Sequence, residues 1–103
     1  MQDISVHELK QRKDAGEELY IIDVREPAEY EAVNMGAILI PLGQILNAQI
    51  DEIEDWKDKE LIVHCRSGVR SVTACVMLEQ LGFTNTKNLV GGILAWEALK
   101  NQG

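Results

Sequence analysis

The stretch His64-Cys65-Arg66-Ser67-Gly68-Val69-Arg70-Ser71 sets the tightest limit on what this chain can become. It follows an apolar run, Leu61-Ile62-Val63, and leads into a helix-like run from Ser71 to Leu81. Where a strand turns through a short loop into a helix, backbone N–H groups are left unpaired at the positive end of the helix dipole. The N–H groups offer hydrogen bonds to an anion, and the dipole favours negative charge by about 0.3–1 kcal/mol. Arg66 and Arg70 act in the same direction, so Cys65 is predicted to ionise more readily than an ordinary cysteine. The thiolate is the reactive form, which makes Cys65 the candidate nucleophile. Gly68 suits the loop because it takes positive φ without steric cost and lets successive N–H groups curl inward.

The other cysteine, Cys75, lies inside an apolar run and is expected to be a buried small hydrophobe. With the segment after Arg70 helical, Cys75 falls in its second turn, away from the loop, so no bridge to Cys65 is expected. Free thiols suit a reducing compartment, hence the cytoplasm. The N-terminal residues lack the basic, apolar and small-residue order of a signal peptide. No apolar run approaches the roughly 18 residues of a membrane span. A net charge of -7 argues against a nucleic-acid binder and makes the positive loop a local feature. Screening over about 8 Å leaves that local field as the one a small anion meets. The two histidines and two cysteines form no zinc pattern. At 103 residues, with 46% hydrophobic and 26% charged residues, one domain spanning 1–103 is expected.

Read in order, the chain alternates strand and helix. Asp3-Ile4 is a short strand, and Ser5 caps a helix with Glu8 three residues on and an Ile4–Leu9 staple across its start. His7 faces solvent, the charged Lys10–Lys13 run is the wet face, and Gly16 ends the helix. Leu19–Ile22 is an unalternating apolar strand of the doubly covered kind, with Asp23 at its end. Pro27 opens a helical turn to about Tyr30. A third strand, Ala37–Ile40, stops at Pro41, and Leu42–Trp56 carries one or two short helices. The polar connection Lys57–Glu60 then leads into the strand Leu61–His64. In the following helix Ala74, Met77, Leu78 and Leu81 form a stripe with Val72, Cys75 and Val76 beside it, an arc wide enough for burial from more than one side. Gly82 is its C′ residue. Leu89-Val90 is the last strand, Gly91-Gly92 a tight turn, and Ile93, Trp96 and Leu99 the core stripe of a final helix. This alternation gives an α/β domain with a mainly parallel sheet of about five strands and helices on both faces. Asp23, Cys65 and Gly91 each follow a strand and so gather at the carboxyl rim, where such sheets bind ligands.

Four stretches resemble the single-domain rhodaneses, sulfurtransferases that carry sulfur as a cysteine persulfide. They are Asp23-Val24-Arg25-Glu26-Pro27 with Glu29-Tyr30, Gly36-Ala37 with Ile40-Pro41-Leu42, Cys65 to Ser71, and Gly91-Gly92-Ile93-Leu94-Ala95-Trp96. Many relatives read Gly-His-Ile-Pro-Gly-Ala where this chain has Val33-Asn34-Met35-Gly36-Ala37; the shorter form looks like rhodanese domains attached to adenylylating enzymes of sulfur-carrier pathways. The resemblance implies a persulfide on Cys65, held by N–H groups of Arg66, Ser67, Gly68, Val69 and Arg70. Arg70 and Arg66 would dock an anionic donor such as thiosulfate, and a thiol, protein thiol or cyanide would take the sulfur. Ser71, Asp23 and Arg25 would support the loop, Asp23 by accepting hydrogen bonds and Arg25 by touching substrate or pairing with Glu29. No metal or organic cofactor is needed. His64, on a strand, should point away from the Cys65 sulfur.

Four residues separate Cys65 from Arg70. The protein tyrosine phosphatases use a similar cysteine–arginine cradle with one residue more, a ring suited to tetrahedral phosphate. The shorter ring resembles the sulfurtransferase form and favours a single sulfur atom over phosphate or arsenate. The other alternative is a rhodanese-like relay or binding module without turnover of its own, although relatives of that kind usually lack the cysteine.

Overall fold

The computed structural model describes residues 1–102. Its elements run β1 (Gln2–Ile4), α1 (Val6–Asp14), β2 (Tyr20–Asp23), α2 (Pro27–Ala32), β3 (Ile38–Leu39), α3 (Leu42–Leu46), a 3₁₀ turn (Asp51–Trp56), β4 (Glu60–His64), α4 (Val69–Gln80), β5 (Asn85–Leu89) and α5 (Gly92–Asn101). Five strands form one sheet in the order β1-β5-β4-β2-β3, and every neighbouring pair is parallel. This is the α/β architecture expected, with β4 in the middle.

Alternation along β4 divides the core. Leu61, Val63 and Cys65 join a cluster with Ala74, Cys75 and Leu78 of α4, Ile45 of α3 and Ile53 of the 3₁₀ turn. Ile62 faces the other way, into a cluster with Leu9 of α1 and Ile93 and Trp96 of α5. The sheet is therefore covered on both faces, which is why its central strands read as unbroken apolar runs. The chain leaves β2 toward β3 on one side and β4 toward β5 on the other. Adjacent parallel strands whose connections diverge in this way open a crevice beyond their carboxyl ends.

Local signals fix several boundaries. Ser5 Oγ accepts from Glu8 N at 3.1 Å, and Ile4 and Leu9 are both buried in one cluster, as the cap and staple predict. Gly16 and Gly82 take positive φ just past the ends of α1 and α4.

Three expectations need correction. The Lys10–Lys13 run is not simply a wet face: Arg12 reaches Glu17 and Glu60, and Lys13 lies 5.5 Å over the Trp96 ring. The last strand runs Asn85–Leu89 rather than Leu89-Val90. Its polar residues find partners across the fold, Thr86 on Glu79 and Lys87 on Glu60. Finally, α4 buries only Ser71, Ala74, Cys75 and Leu78, while Val76 is exposed. It packs on the sheet and against α3, as the wide arc predicts, and only the outer side that carries Val76 is open.

Candidate functional site

Cys65 leaves β4 on the sheet's central axis, and two neighbouring elements shape the loop that follows. From α5, Ile93 N donates to Cys65 O at 2.9 Å and Leu94 N to Arg66 O at 3.2 Å. In a trans peptide the C=O and the next N–H point in opposite directions, so carbonyls drawn toward α5 turn the N–H groups of Arg66 and Ser67 away from it. Gly92 permits this brace. It has φ +58, and a Cβ there would sit 2.5 Å from both the Cys65 and Arg66 carbonyl oxygens. Gly68, at φ +108, closes the loop and brings its own N–H to within 3.1 Å of Cys65 Sγ. α4 then begins at Val69, which places its positive end beside the sulfur.

The sulfur is almost sealed, with Cys65 only 1% exposed. Burial by itself pushes a thiol's pKa up. Here the contact with the Ser71 hydroxyl and hydrogen bonds from the N–H groups of Ser71, Gly68 and Ser67 outweigh it, and the net shift is downward. Ser71 Oγ lies 3.4 Å from Sγ.

Arg70 does not stand free in the loop. Its two terminal nitrogens bind both carboxylate oxygens of Glu29 on α2, at 2.8 and 2.9 Å, across the crevice between the ends of β2 and β4. This bidentate pair holds the Glu29 carboxyl down to about 2 and raises the Arg70 guanidinium. Arg66 is exposed and forms no ion pair among the described residues. Val69 is 74% exposed, with its side chain at the loop's outer rim.

Asp23 and Arg25 lie elsewhere than on the sulfur. Asp23 follows Ile21 in strand alternation and so faces the α1 and α5 side, opposite to Cys65. Its carboxylate accepts from Arg25 N, Nε and Nη2. Arg25 is 2% exposed, so its guanidinium is a buried clamp rather than a substrate contact. It pairs with Asp23, not with the Glu29 carboxylate, and donates to the backbone carbonyls of Glu29 and Val33. The two residues reach the loop indirectly: Asp23 holds Arg25, Arg25 fixes the backbone of α2, and α2 presents Glu29 to Arg70. His64 points away from the sulfur, with Nδ1 3.2 Å from Cys65 O and Nε2 3.6 Å from Asp23. Burial keeps its pKa low despite the nearby Asp23 charge.

Two residues of this arrangement escape a reading of the sequence. Glu29 is the partner of Arg70 rather than of Arg25, and Asn88 of β5 accepts from the Ser71 hydroxyl. Glu29 lies within the Asp23–Tyr30 motif, so only its partner was hidden; nothing local to Asn88 marks it.

The fold and site together define the class: an α/β protein with a cysteine sulfur met by backbone N–H groups at the carboxyl rim of a parallel sheet. The chain belongs to the rhodanese-like family, whose model matches residues 5–99. A putative sulfurtransferase of Bacillus subtilis, YtwF, is 42% identical over 94% of this chain and 91% of its own length. The probable adenylyltransferase/sulfurtransferase MoeZ of Mycobacterium tuberculosis is 36% identical over 90% of this chain, which spans only 24% of that larger protein. Among solved structures, a rhodanese-like domain protein from Staphylococcus aureus superposes with a TM-score of 0.82 at 29% identity, over 93% of this chain and 91% of that one. These relationships give the chain a role in sulfur transfer. No helix of the described residues is long and apolar enough to cross a membrane.

Proposed function

We propose that residues 1–103 act as one domain that moves sulfane sulfur from thiosulfate or a persulfide donor to a thiol or cyanide acceptor, through a persulfide on Cys65. The observation that carries this is the N–H contact on the sulfur in a short ring: Gly68 N lies 3.1 Å from Sγ, and only four residues separate Cys65 from Arg70, a spacing that suits a single outer sulfur atom. Arg66, exposed and without an acidic partner among the described residues, is the first cation an anionic donor meets. Arg70 joins it by exchanging Glu29 for the donor's oxygens. The Cys65 thiolate attacks the outer sulfur of thiosulfate, the S–S bond breaks, and sulfite leaves with the electron pair. The N–H groups of the loop then stabilise the persulfide anion in the manner of an oxyanion hole. An acceptor thiolate or cyanide attacks the outer sulfur and restores the Cys65 thiolate. Both cysteines are free, which suits a compartment that keeps thiols reduced, such as the cytoplasm.

The test is to assay thiosulfate:cyanide sulfur transfer and aryl phosphate hydrolysis on the same protein. The tight ring keeps phosphorus from the roughly 3–3.5 Å of a near-attack geometry, so sulfur transfer is expected without useful phosphatase activity. Hydrolysis of an aryl phosphate at a rate matching sulfur transfer would overturn the reading.

A further inference from the structure

The sulfur's side-chain neighbour, Ser71, has one hydroxyl proton and two claimants on it. Ser71 Oγ lies 3.4 Å from Cys65 Sγ and donates to Asn88 Oδ1 at 2.5 Å. All three residues are buried, at 0%, 1% and 6% exposure for Ser71, Cys65 and Asn88. Asn88 pairs with Val63 in the sheet register and shares its face, so its amide rises beside the mouth of β4. Asn88 Nδ2 also lies near the loop, 3.9 Å from where a Cβ would stand on Gly68.

A hydroxyl donates once and accepts through its lone pairs. While its proton lies on Asn88, Ser71 shows a lone pair to the sulfur. That suits a thiol, whose S–H donates. It does not suit a thiolate or persulfide, which only accepts. The anion needs the hydroxyl turned toward it, and Ser71 Oγ then needs a donor from Asn88. A carboxamide supplies either one: its carbonyl accepts, its NH₂ donates, and a half-turn of the amide exchanges them.

We propose that Asn88 is a positioning residue for the Cys65 sulfur, presenting its carbonyl to Ser71 while Cys65 is a thiol and its NH₂ once the sulfur is a thiolate or persulfide. No covalent bond is made in this turn, and the proton lost on ionisation passes to solvent. Arg70, paired with Glu29, is the charged group of the loop whose field reaches the sulfur. The proposal rests on the reading of Cys65 as the working sulfur. It is read out on the thiol alone, with no donor or acceptor present, so it can fail while sulfur transfer stands.

The experiment compares wild type, Ser71→Ala, Asn88→Asp and the double variant. The Cys65 thiolate midpoint is measured from the pH dependence of iodoacetamide labelling mapped to the Cys65 peptide. An aspartate accepts but does not donate, so it holds the Ser71 proton away from the sulfur; its charge also acts on the sulfur directly. Ser71→Ala removes the relay and leaves the direct effect. Asn88→Asp should raise the midpoint by at least about half a pH unit more with Ser71 present than in the Ser71→Ala background, roughly threefold less thiolate at a fixed pH below the midpoint. Equal shifts in the two backgrounds would overturn the proposal. Should Asn88→Asp fail to fold, Asn88→Ala in the same two backgrounds gives the answer. A shift that needs Ser71 supports the proposal; the same shift in both, or none, overturns it.

Discussion

Cys65 and Cys75 are both free, and both are buried, at 1% and 0% exposure. Their thiols nevertheless move in opposite directions. Cys75 sits in mid-helix on α4 among apolar neighbours, where burial pushes it up to about 11. Cys65 is buried too and still falls below the ordinary 9.0, because the contact with the Ser71 hydroxyl and several N–H groups outweigh burial. Burial alone therefore does not make a cysteine inert. What decides is whether the surroundings have hydrogen-bonding groups to spare, and beside Cys65 the Ser71 hydroxyl and the unpaired N–H groups at the start of α4 supply them.

The largest expected effect comes from exchanging each sulfur for oxygen in turn. Cys65→Ser should remove sulfur transfer altogether. Cys75→Ser should keep most of it, at a stability cost of no more than about 1–3 kcal/mol for placing a hydroxyl in a mostly apolar site where Thr86 is its hydrogen-bond partner. Steady-state rates and thermal melting on the same preparations check both. Comparable loss of activity in a folded Cys75→Ser protein would break the contrast.

A smaller effect is expected at Arg70. Removing its contacts to an anionic donor with Arg70→Ala should cost about 10–100-fold in kcat/KM for thiosulfate, as for lost hydrogen bonds to a charged group. Stability should fall by no more than about 1 kcal/mol, since the pair with Glu29 is a third exposed. Glu29→Gln should act the other way on donor binding and lower the KM, because it releases Arg70 from its carboxylate. If both variants raise the KM, Glu29 positions Arg70 rather than competing for it.

The smallest effect is on pH dependence. Cys75 has a folded pKa of about 11 against 9.0 when unfolded, so the unfolded chain gives up that proton first. Its contribution to stability is intact below pH 9 and is lost as pH rises toward 11, by roughly 2 kcal/mol. Cys65 has the opposite sign: its contribution is present above 9.0 and lost as pH falls through its lowered folded value. Denaturant melts from pH 8 to 11 should decline less for Cys75→Ala than for wild type.

The sequence makes the Cys65 side of this comparison plain, since Gly68 and the run into α4 are local signals that the loop keeps, with Gly68 at φ +108. The Ser5 cap and the Gly91-Gly92 turn were readable for the same reason. Strand β5 was not, because Thr86, Lys87 and Asn88 read as loop until Glu79, Glu60 and Ser71 are seen to satisfy them. The partner of Glu29 was hidden likewise. A nearby Arg25 invites a local pair, yet Asp23 takes Arg25 and leaves Glu29 to span the crevice to Arg70. Choices of partner across a sheet follow from register and topology, which no short window of sequence contains.

The most direct measurement is peptide mapping by mass spectrometry after the protein meets thiosulfate. A gain of one sulfur atom is expected on the peptide carrying Cys65 and none on the peptide carrying Cys75, with the added sulfur lost on addition of cyanide. Sulfur carried on Cys75, or a Cys65 that stays unmodified in a folded protein, would contradict it.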